Sequence, residues 1–164
     1  MPITPDDGLP EALATVRTRP LFVMRLAVRP LQVVGAAPAA FRRVGPVFGG
    51  SFTGERLSGE VLDCGNDWQT VRADGCMSLD VRLVLRTADG AMIAMTYRGL
   101  RHGPPGVIER LERGEAVDPA SYYFRIAAQF ETAAAPYDWL NRLLAIGIGH
   151  RQPDGPVYSL FELQ

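Results

Sequence analysis

The fold is decided by the stretch from Tyr122 to Asn141, which reads Tyr-Tyr-Phe-Arg-Ile-Ala-Ala-Gln-Phe-Glu-Thr-Ala-Ala-Ala-Pro-Tyr-Asp-Trp-Leu-Asn. From Tyr122 to Phe130 an apolar side chain stands at every second position, and the polar side chains lie between them. Because successive side chains of a strand point to opposite faces, this half predicts a long strand with an apolar face and a polar-aromatic face. Pro136 ends the pattern, and the aromatic residues after it predict a short helical turn that plugs one end of the fold.

Shorter runs of the same kind recur along the chain and predict an all-β protein. Strands are predicted at residues 21–28, with 31–34 as an extension, and at 42–55, 59–64, 68–72, 79–87, 91–98, 142–151 and 157–163. Turn signals lie between them at Gly65–Asp67, Asp74–Gly75, Asp89–Gly90 and Pro153–Gly155. Residues 105–113, which begin with Pro and are followed by Gly114, predict one short helix.

These strands predict an antiparallel closed β-barrel. Consecutive hairpins give an antiparallel meander, and about eight to ten strands in one small domain must close or stack to protect their edges. We therefore favour a barrel over a sandwich. The run 42–55 contains four of the glycines, at 45, 49, 50 and 54, which indicates curvature or the close approach of another backbone or a ligand.

Size and composition restrict the class of protein. The chain has 164 residues, is 47% hydrophobic and carries a net charge of -1. It therefore suits one globular domain at residues 20–164, with a Pro-rich arm at residues 1–19 outside the core. Neither nucleic acid nor a membrane is expected as a partner, since the chain has no strong positive charge and no apolar run of ~18 residues. Without a signal-peptide pattern, we expect a cytoplasmic location.

The residues available for chemistry exclude several mechanisms. All 17 basic residues are arginine, so lysine Schiff-base chemistry is excluded and any anion site must use arginine. Cys64 and Cys76 are predicted to be buried, reduced thiols. The two histidines, His102 and His150, lie far apart, so we expect neither a metal site nor a cofactor. The serines lack a nucleophile elbow and no P-loop follows Gly49, which argues against hydrolases and nucleotide binding.

A polar-aromatic cluster is the best candidate site. Its members lie on strands that are predicted to be adjacent: Asp67, Trp68, Arg72, Asp80, Arg82, Tyr123, Arg125 and Glu131. Charges inside a small barrel are costly unless they are paired or bind a ligand. The cluster is therefore an internal salt-bridge network, a solvated outer face or a ligand site. Strand periodicity leaves open which face points inward.

The ligand interpretation assigns roles within this cluster. Arg125 or Arg72 would pair with a ligand carboxylate or enolate, and the aromatic members would stack on the ligand. Asp80 or Glu131 would move a proton, so that Asp80, Glu131 and Arg125 are the candidate catalytic residues. Our leading hypothesis is a small-molecule-binding barrel for an apolar or aromatic metabolite with an acidic group. The alternatives are a cofactor-free isomerase, cyclase or lyase, and a structural module that forms oligomers without a ligand.

Many short motifs follow one another in a recognisable order. They are Leu57-Ser-Gly-Glu-Val-Leu, Asn66-Asp-Trp-Gln, Arg72-Ala-Asp-Gly, Leu79-Asp-Val-Arg, Arg86-Thr-Ala-Asp-Gly-Ala, Gly103-Pro, Val117-Asp-Pro-Ala-Ser-Tyr-Tyr-Phe-Arg, Phe130-Glu-Thr and Tyr137-Asp-Trp-Leu-Asn-Arg. Over residues 20–163 the chain resembles the uncharacterised bacterial family catalogued as domain of unknown function 3237. The resemblance implies a lipocalin-like or streptavidin-like barrel that forms oligomers, and it implies no established activity. Apolar residues on both faces of 21–28 also favour a homo-oligomer.

Overall fold

The computed structural model describes residue 8 and residues 10–164, so residues 1–7 and 9 of the predicted arm lie outside the described residues. The described residues contain ten strands: β1 (Thr18–Val28), β2 (Gln32–Ala36), β3 (Phe41–Thr53), β4 (Ser58–Val61), β5 (Gly65–Val71), β6 (Met77–Thr87), β7 (Met92–His102), β8 (Tyr123–Glu131), β9 (Ala145–Gln152) and β10 (Gly155–Leu163). One α-helix, α1 (Pro105–Glu112), follows β7, and short 3-10 helices span Glu11–Leu13, Pro119–Ser121 and Ala135–Arg142. Among the described residues, no helix is long and apolar enough to cross a bilayer.

The sheet closes on itself, which confirms the predicted antiparallel barrel. Its strands follow the order β1-β10-β9-β8-β7-β6, both β4 and β5 bridge β6 to β3, and β3 pairs back with β1. Every pairing is antiparallel, and β2 pairs with β3 at the rim. The result is an eight-stranded closed barrel with two additional strands. Closure leaves no edge within the ring, as expected for this many strands in one small domain.

The apolar faces of the alternating strands all point into the barrel. Inward side chains of β6, β7 and β8 that are nearly inaccessible include Leu79, Val81, Leu83, Leu85, Ile93, Met95, Tyr97, Phe124, Ile126 and Ala128. Aromatic rings pack against one another within this core. Phe22 lies 5.4 Å from Phe52 and 6.0 Å from Phe130, measured between ring centres. Because the apolar face of each alternating strand is inside, the opposite face of that strand points outward.

Glycines on neighbouring strands make room for the large inward side chains of β8. A Cβ added at Gly149 would lie 2.6 Å from Cδ1 of Phe124, and one added at Gly147 would lie 2.6 Å from Cγ1 of Ile126. In β3, Gly50 has a φ of 147°, and a Cβ there would overlap the carbonyl oxygen of Arg25. The glycines of the run 42–55 therefore include one that permits the close approach of another backbone.

Both ends of the barrel are covered by helical segments. The 3-10 helix Ala135–Arg142 buries Leu140 completely and packs Trp139 against the core, which confirms the predicted plug. The side chain of Asn141 holds this segment, because it accepts a hydrogen bond from the Thr132 amide at 2.7 Å and donates one to the Thr132 carbonyl at 2.9 Å. At the opposite end, α1 covers the barrel and buries Leu111.

Several local predictions were wrong at the level of single turns and strand ends. The turn predicted at Gly65–Asp67 lies at residues 63–64, and Gly65 already belongs to β5, where its lack of a side chain admits Leu83. Because Cys64 lies in that turn it is exposed, whereas Cys76 is buried as predicted, and both thiols are free. Residues 32–36 form a separate strand, β2, and residues 142–144 precede β9 instead of belonging to it.

The apolar residues on both faces of β1 have a local cause. The register between β1 and β10 shifts between Pro20 and Phe22, which marks a bulge or irregularity at this point. Leu21 and Phe22 are consequently both buried, although they are neighbours in sequence. A strand with this irregularity buries two successive side chains without any partner chain, so the homo-oligomer stays a prediction.

Candidate functional site

A cluster of charged and polar side chains lies at the end of the barrel covered by α1, and two of its members are buried. Arg101 is only 6% exposed and Asp67 9%, and they point inward from β7 and β5. Arg43 approaches from β3, and Glu112 from the last position of α1. Alternation places these strand residues in phase with the apolar core, and closure of the barrel brings them together.

Hydrogen bonds connect these side chains in a continuous network. Arg43 donates through Nη1 and Nη2 to the two carboxylate oxygens of Glu112, at 2.6 and 2.9 Å. Arg101 donates through Nη2 to Oε1 of Glu112 at 2.7 Å. Arg43 also donates through Nε to Oε1 of Gln69, whose Nε2 donates to Oδ2 of Asp67, both at 2.7 Å. Each side chain is thereby held in one orientation.

Two atoms of this network are left without a partner. Oδ1 of Asp67 and Nε of Arg101 are buried and form no hydrogen bond within the described part of the chain. Both residues line a cavity of about 90 Å³, which also contacts Leu31, Phe124 and Tyr158. Such a volume corresponds to about three water molecules, at roughly 30 Å³ each. The cavity therefore lies beside the residues that carry the two atoms, and it has room for a small polar group.

The pKa values of the two carboxyl groups beside the cavity are shifted in opposite directions. Burial raises the pKa of Asp67 to about 6, against the lowering effects of Gln69, Arg101 and Arg43. Burial also acts to raise the pKa of Glu112, but Arg43 and Arg101 outweigh it and leave that pKa below its usual range. Arg151 also lines the cavity, so three guanidinium groups face two carboxyl groups. The excess of positive charge favours an anion.

Two tyrosines lie deeper in the barrel beneath this network. Their hydroxyl groups are 3.4 Å apart, with Tyr97 donating to Tyr158, and their ring centres are 5.5 Å apart. Burial raises the pKa of both hydroxyl groups well above the ordinary value. Both are therefore neutral at physiological pH, and Tyr158 is one of the residues that line the cavity.

Of the eight members of the predicted polar-aromatic cluster, Asp67 points into the barrel and the other seven lie outside the interior. Four of them line one groove, namely Trp68, Asp80, Tyr123 and Arg125. The other three lie outside it. Arg72 pairs with Asp74 in the turn after β5, Arg82 is exposed on β6, and Glu131 is exposed at the end of β8. Their assignment as a ligand site stays a prediction.

Sequence reasoning missed most of the interior cluster. Asp67 belonged to the predicted polar-aromatic cluster, whereas Arg43, Gln69, Tyr97, Arg101, Glu112, Arg151 and Tyr158 did not. Arg101 carried a usable signal, because it follows Ile93, Met95 and Tyr97 in the same alternating phase. A charged residue in phase with an inward apolar run indicates a buried charge. Glu112 carried no comparable signal, since its partners come from distant strands.

The fold and the buried site together define a closed antiparallel β-barrel with a charged cavity at one end. The chain belongs to the family described as protein of unknown function (DUF3237), whose model matches residues 16–163. This confirms the resemblance seen in the sequence.

Comparison with individual proteins agrees with this assignment. A UPF0311 protein of Rhodopseudomonas palustris is 33% identical over 149 residues, which cover 91% of this chain and 97% of the relative. A crystal structure of a conserved protein of unknown function from that organism aligns with a TM-score of 0.89 at 33% identity, covering 92% and 99% of the two chains. A β-barrel-like protein from Acinetobacter baumannii aligns with a TM-score of 0.80 at 36% identity, covering 92% and 97%.

A more distant structure shares the fold alone. It is described as an enzyme from Penicillium herquei and aligns with a TM-score of 0.71 at 22% identity. The alignment covers 95% of this chain and 100% of that chain.

Proposed function

We propose that this protein binds a small organic acid inside the barrel, with the acidic group of the ligand in the cavity beside Arg101. The observation that carries this proposal is that Nε of this guanidinium group, which is only 6% exposed, has no hydrogen-bond partner among the described residues. A buried donor without an acceptor is costly, and one on a charged group is costlier still. A ligand carboxylate or enolate oxygen would satisfy that donor.

The lining of the cavity supports the same ligand class. Its charged members include three arginines, and its apolar members include Val28, Leu79, Leu111 and Phe124. Protonation of Asp67, with a pKa of about 6, would add an O–H donor beside the ligand. An acidic head group with a compact apolar body fits this combination. The volume of about 90 Å³ favours a ligand with few atoms, or one whose body extends past Leu31.

Ligand-induced stabilisation tests this proposal. We expect acetate and benzoate to raise the melting temperature of the wild-type protein, because a ligand that binds only the folded state adds about 2.7 kcal/mol at a hundred times its Kd. Arg101→Gln should remove most of this effect while circular dichroism shows a folded barrel. Arg86→Gln is the matched control, since Arg86 pairs with Glu60 on the exposed outer face. No stabilisation of the wild type, or undiminished stabilisation of folded Arg101→Gln, would contradict the proposal.

The pKa of Asp67 supports a second candidate, a cofactor-free isomerase, cyclase or lyase. A carboxyl group with a pKa of about 6 serves as a general acid or base near neutral pH. Asp67 lines the cavity, and its Oδ1 has no hydrogen-bond partner in the described residues. The distant Penicillium herquei structure described as an enzyme shows that this fold also occurs in an enzyme. In this mechanism Asp67 takes a proton from a carbon next to a carbonyl group, and Arg101 stabilises the enolate.

Proton exchange distinguishes the enzyme from a simple binding protein. We expect the wild-type protein to accelerate exchange of the methyl protons of pyruvate in D₂O, followed by NMR. Asp67→Asn should slow this catalysed exchange by about 10²-fold or more, because general acid–base catalysis contributes that much. Stabilisation by acetate should persist in the variant. If wild type and Asp67→Asn exchange the probe equally fast, Asp67 is not a base for this reaction class and the enzyme candidate fails.

A further inference from the structure

We propose that the outer groove lined by Trp68, Tyr123 and Arg125 is a second ligand site, which takes a flat aromatic anion. The groove lies on the outer faces of β3 and of β5 to β9, and it is an open groove with a volume of about 910 Å³. Its volume lies within the range of sites for small molecules. The barrel wall separates it from the interior cavity, so this site is independent of the proposed acid-binding function.

The apolar part of the groove is unusually exposed for a folded surface. Trp68 is 59% exposed, Ile148 46% and Tyr123 42%. Ile146 and Leu100 extend the same lining, so these side chains form one patch instead of scattered single residues. A contiguous exposed apolar patch with polar groups at its rim marks a binding surface. The indole of Trp68 offers a flat face on which an aromatic ring can stack.

The charged rim of the groove favours an anion. Arg42, Arg98 and Arg125 line it together with one acidic residue, Asp80. Arg98 approaches Asp80 at 3.7 Å. Both side chains are exposed, so this ion pair is weak. Arg42 uses one N–H for Thr70, and Arg125 uses one for the carbonyl of Phe124, so donors of both guanidinium groups are left for a ligand. Three positive charges against one negative charge complement a carboxylate or sulfonate.

Arg125 is already held in an orientation suited to binding. Its guanidinium carbon lies 5.0 Å from the centre of the Tyr123 ring. The ring of His102 stacks on Tyr123 with ring centres 4.9 Å apart and planes inclined by 18°. This stack reduces the number of conformations that Arg125 can adopt, so less entropy is lost when it binds an anion.

The same charges argue against a second copy of the chain as the occupant. In a symmetric dimer the same patch contributes from both subunits, so two copies of Arg42, Arg98 and Arg125 would approach each other. Only Asp80 on each subunit would offset them. Like charges placed together across an interface are unfavourable. A small aromatic anion neutralises the groove without this repulsion.

Binding of 2-naphthoate tests the site. The probe should bind the Trp139→Phe protein with one ligand per chain in the groove and quench the fluorescence of Trp68, the remaining tryptophan. Arg125→Gln and Trp68→Ala should each weaken binding about tenfold or more in calorimetry. The neutral analogue 2-naphthylmethanol should bind about tenfold more weakly than the anion. Arg82→Gln is the control, because Arg82 is an exposed outer arginine outside the groove.

The variant Arg101→Gln separates this inference from the proposed interior site. Quenching of Trp68 should be unchanged in Arg101→Gln, since Arg101 lies inside the barrel. Binding that is lost in Arg101→Gln but kept in Arg125→Gln would place the probe in the interior cavity and overturn the outer site. The absence of binding to any variant would also overturn it. A dimer in analytical ultracentrifugation that Trp68→Glu dissociates would show that a second copy covers the groove, which contradicts the proposal as well.

Discussion

Asp67 and Trp68 are neighbours in the sequence and lie on opposite sides of the barrel wall. Asp67 is 9% exposed and points into the interior cavity, whereas Trp68 is 59% exposed and lines the outer groove. A strand sends successive side chains to opposite faces, so one dipeptide contributes to both candidate sites. The interior position explains the perturbed pKa of Asp67, because burial disfavours its ionised form.

Asp67 should therefore make stability fall as the pH rises. Its pKa is about 6 in the folded protein and about 3.9 in an unfolded chain. The folded state holds the proton more tightly, so the stabilising contribution of Asp67 is complete below pH ~4 and is lost as the pH rises through 6. The difference between the two pKa values corresponds to ~3 kcal/mol.

Urea unfolding at pH 4 and pH 8 measures this contribution. Asn does not titrate. Between pH 4 and pH 8 the free energy of unfolding of Asp67→Asn should therefore rise by up to ~3 kcal/mol relative to that of the wild type. The other carboxyl groups titrate in both proteins, and their contributions cancel in the comparison. If the free energies of unfolding of the wild type and the variant change with pH in the same way, the pKa of Asp67 is not raised.

At the scale of elements, most strands follow from local sequence, and the exceptions have identifiable causes. The hairpin at Asp89–Gly90 and the helix before Gly114 were predicted correctly, because both glycines adopt a positive φ that the chain needs there. The turn predicted at Gly65–Asp67 was wrong because Gly65 serves packing against Leu83. A glycine that terminates a strand and one that admits a neighbour look the same in a sequence.

The 3-10 helix Ala135–Arg142 is the element whose burial is easiest to test. Leu140 is completely inaccessible, so Leu140→Ala should lower the free energy of unfolding by about 2–5 kcal/mol through lost burial and the cavity it leaves. Leu144→Ala is the matched control, because Leu144 is 52% exposed and should change stability by no more than about 0.5 kcal/mol. Urea titrations of both variants give the comparison. Similar small losses in both would mean that this segment does not close the core.

At the scale of the whole molecule, closure joins the two ends of the chain. β1 pairs with β10 from Thr18 opposite Leu163, and β1 also pairs with β3. The closed wall has an interior that holds the charged cavity and an exterior that carries the groove. Arg101 and Arg125 belong to adjacent strands, β7 and β8, yet they face opposite sides. Two ligand sites can therefore coexist on opposite sides of the wall of this small barrel.

The sequence by itself determined most strands, most turns, the helix and the plug, since these depend on periodicity between near neighbours. It favoured a closed antiparallel barrel for another reason, because about eight to ten strands in one small domain must protect their edges. It also determined that every anion site would use arginine. The burial of Arg101 could also have been predicted, because Arg101 alternates in the same phase as the inward apolar residues of β7.

Only the tertiary structure decided which charges meet. Arg43 and Glu112 are 69 residues apart and form a two-pronged ion pair, and Arg101 joins them from another strand. Which residues of distant strands face each other depends on the register of the strands and the closure of the ring, and no local pattern encodes either. The same closure set the inside and outside of each strand, because burying the apolar faces requires all of them to point the same way.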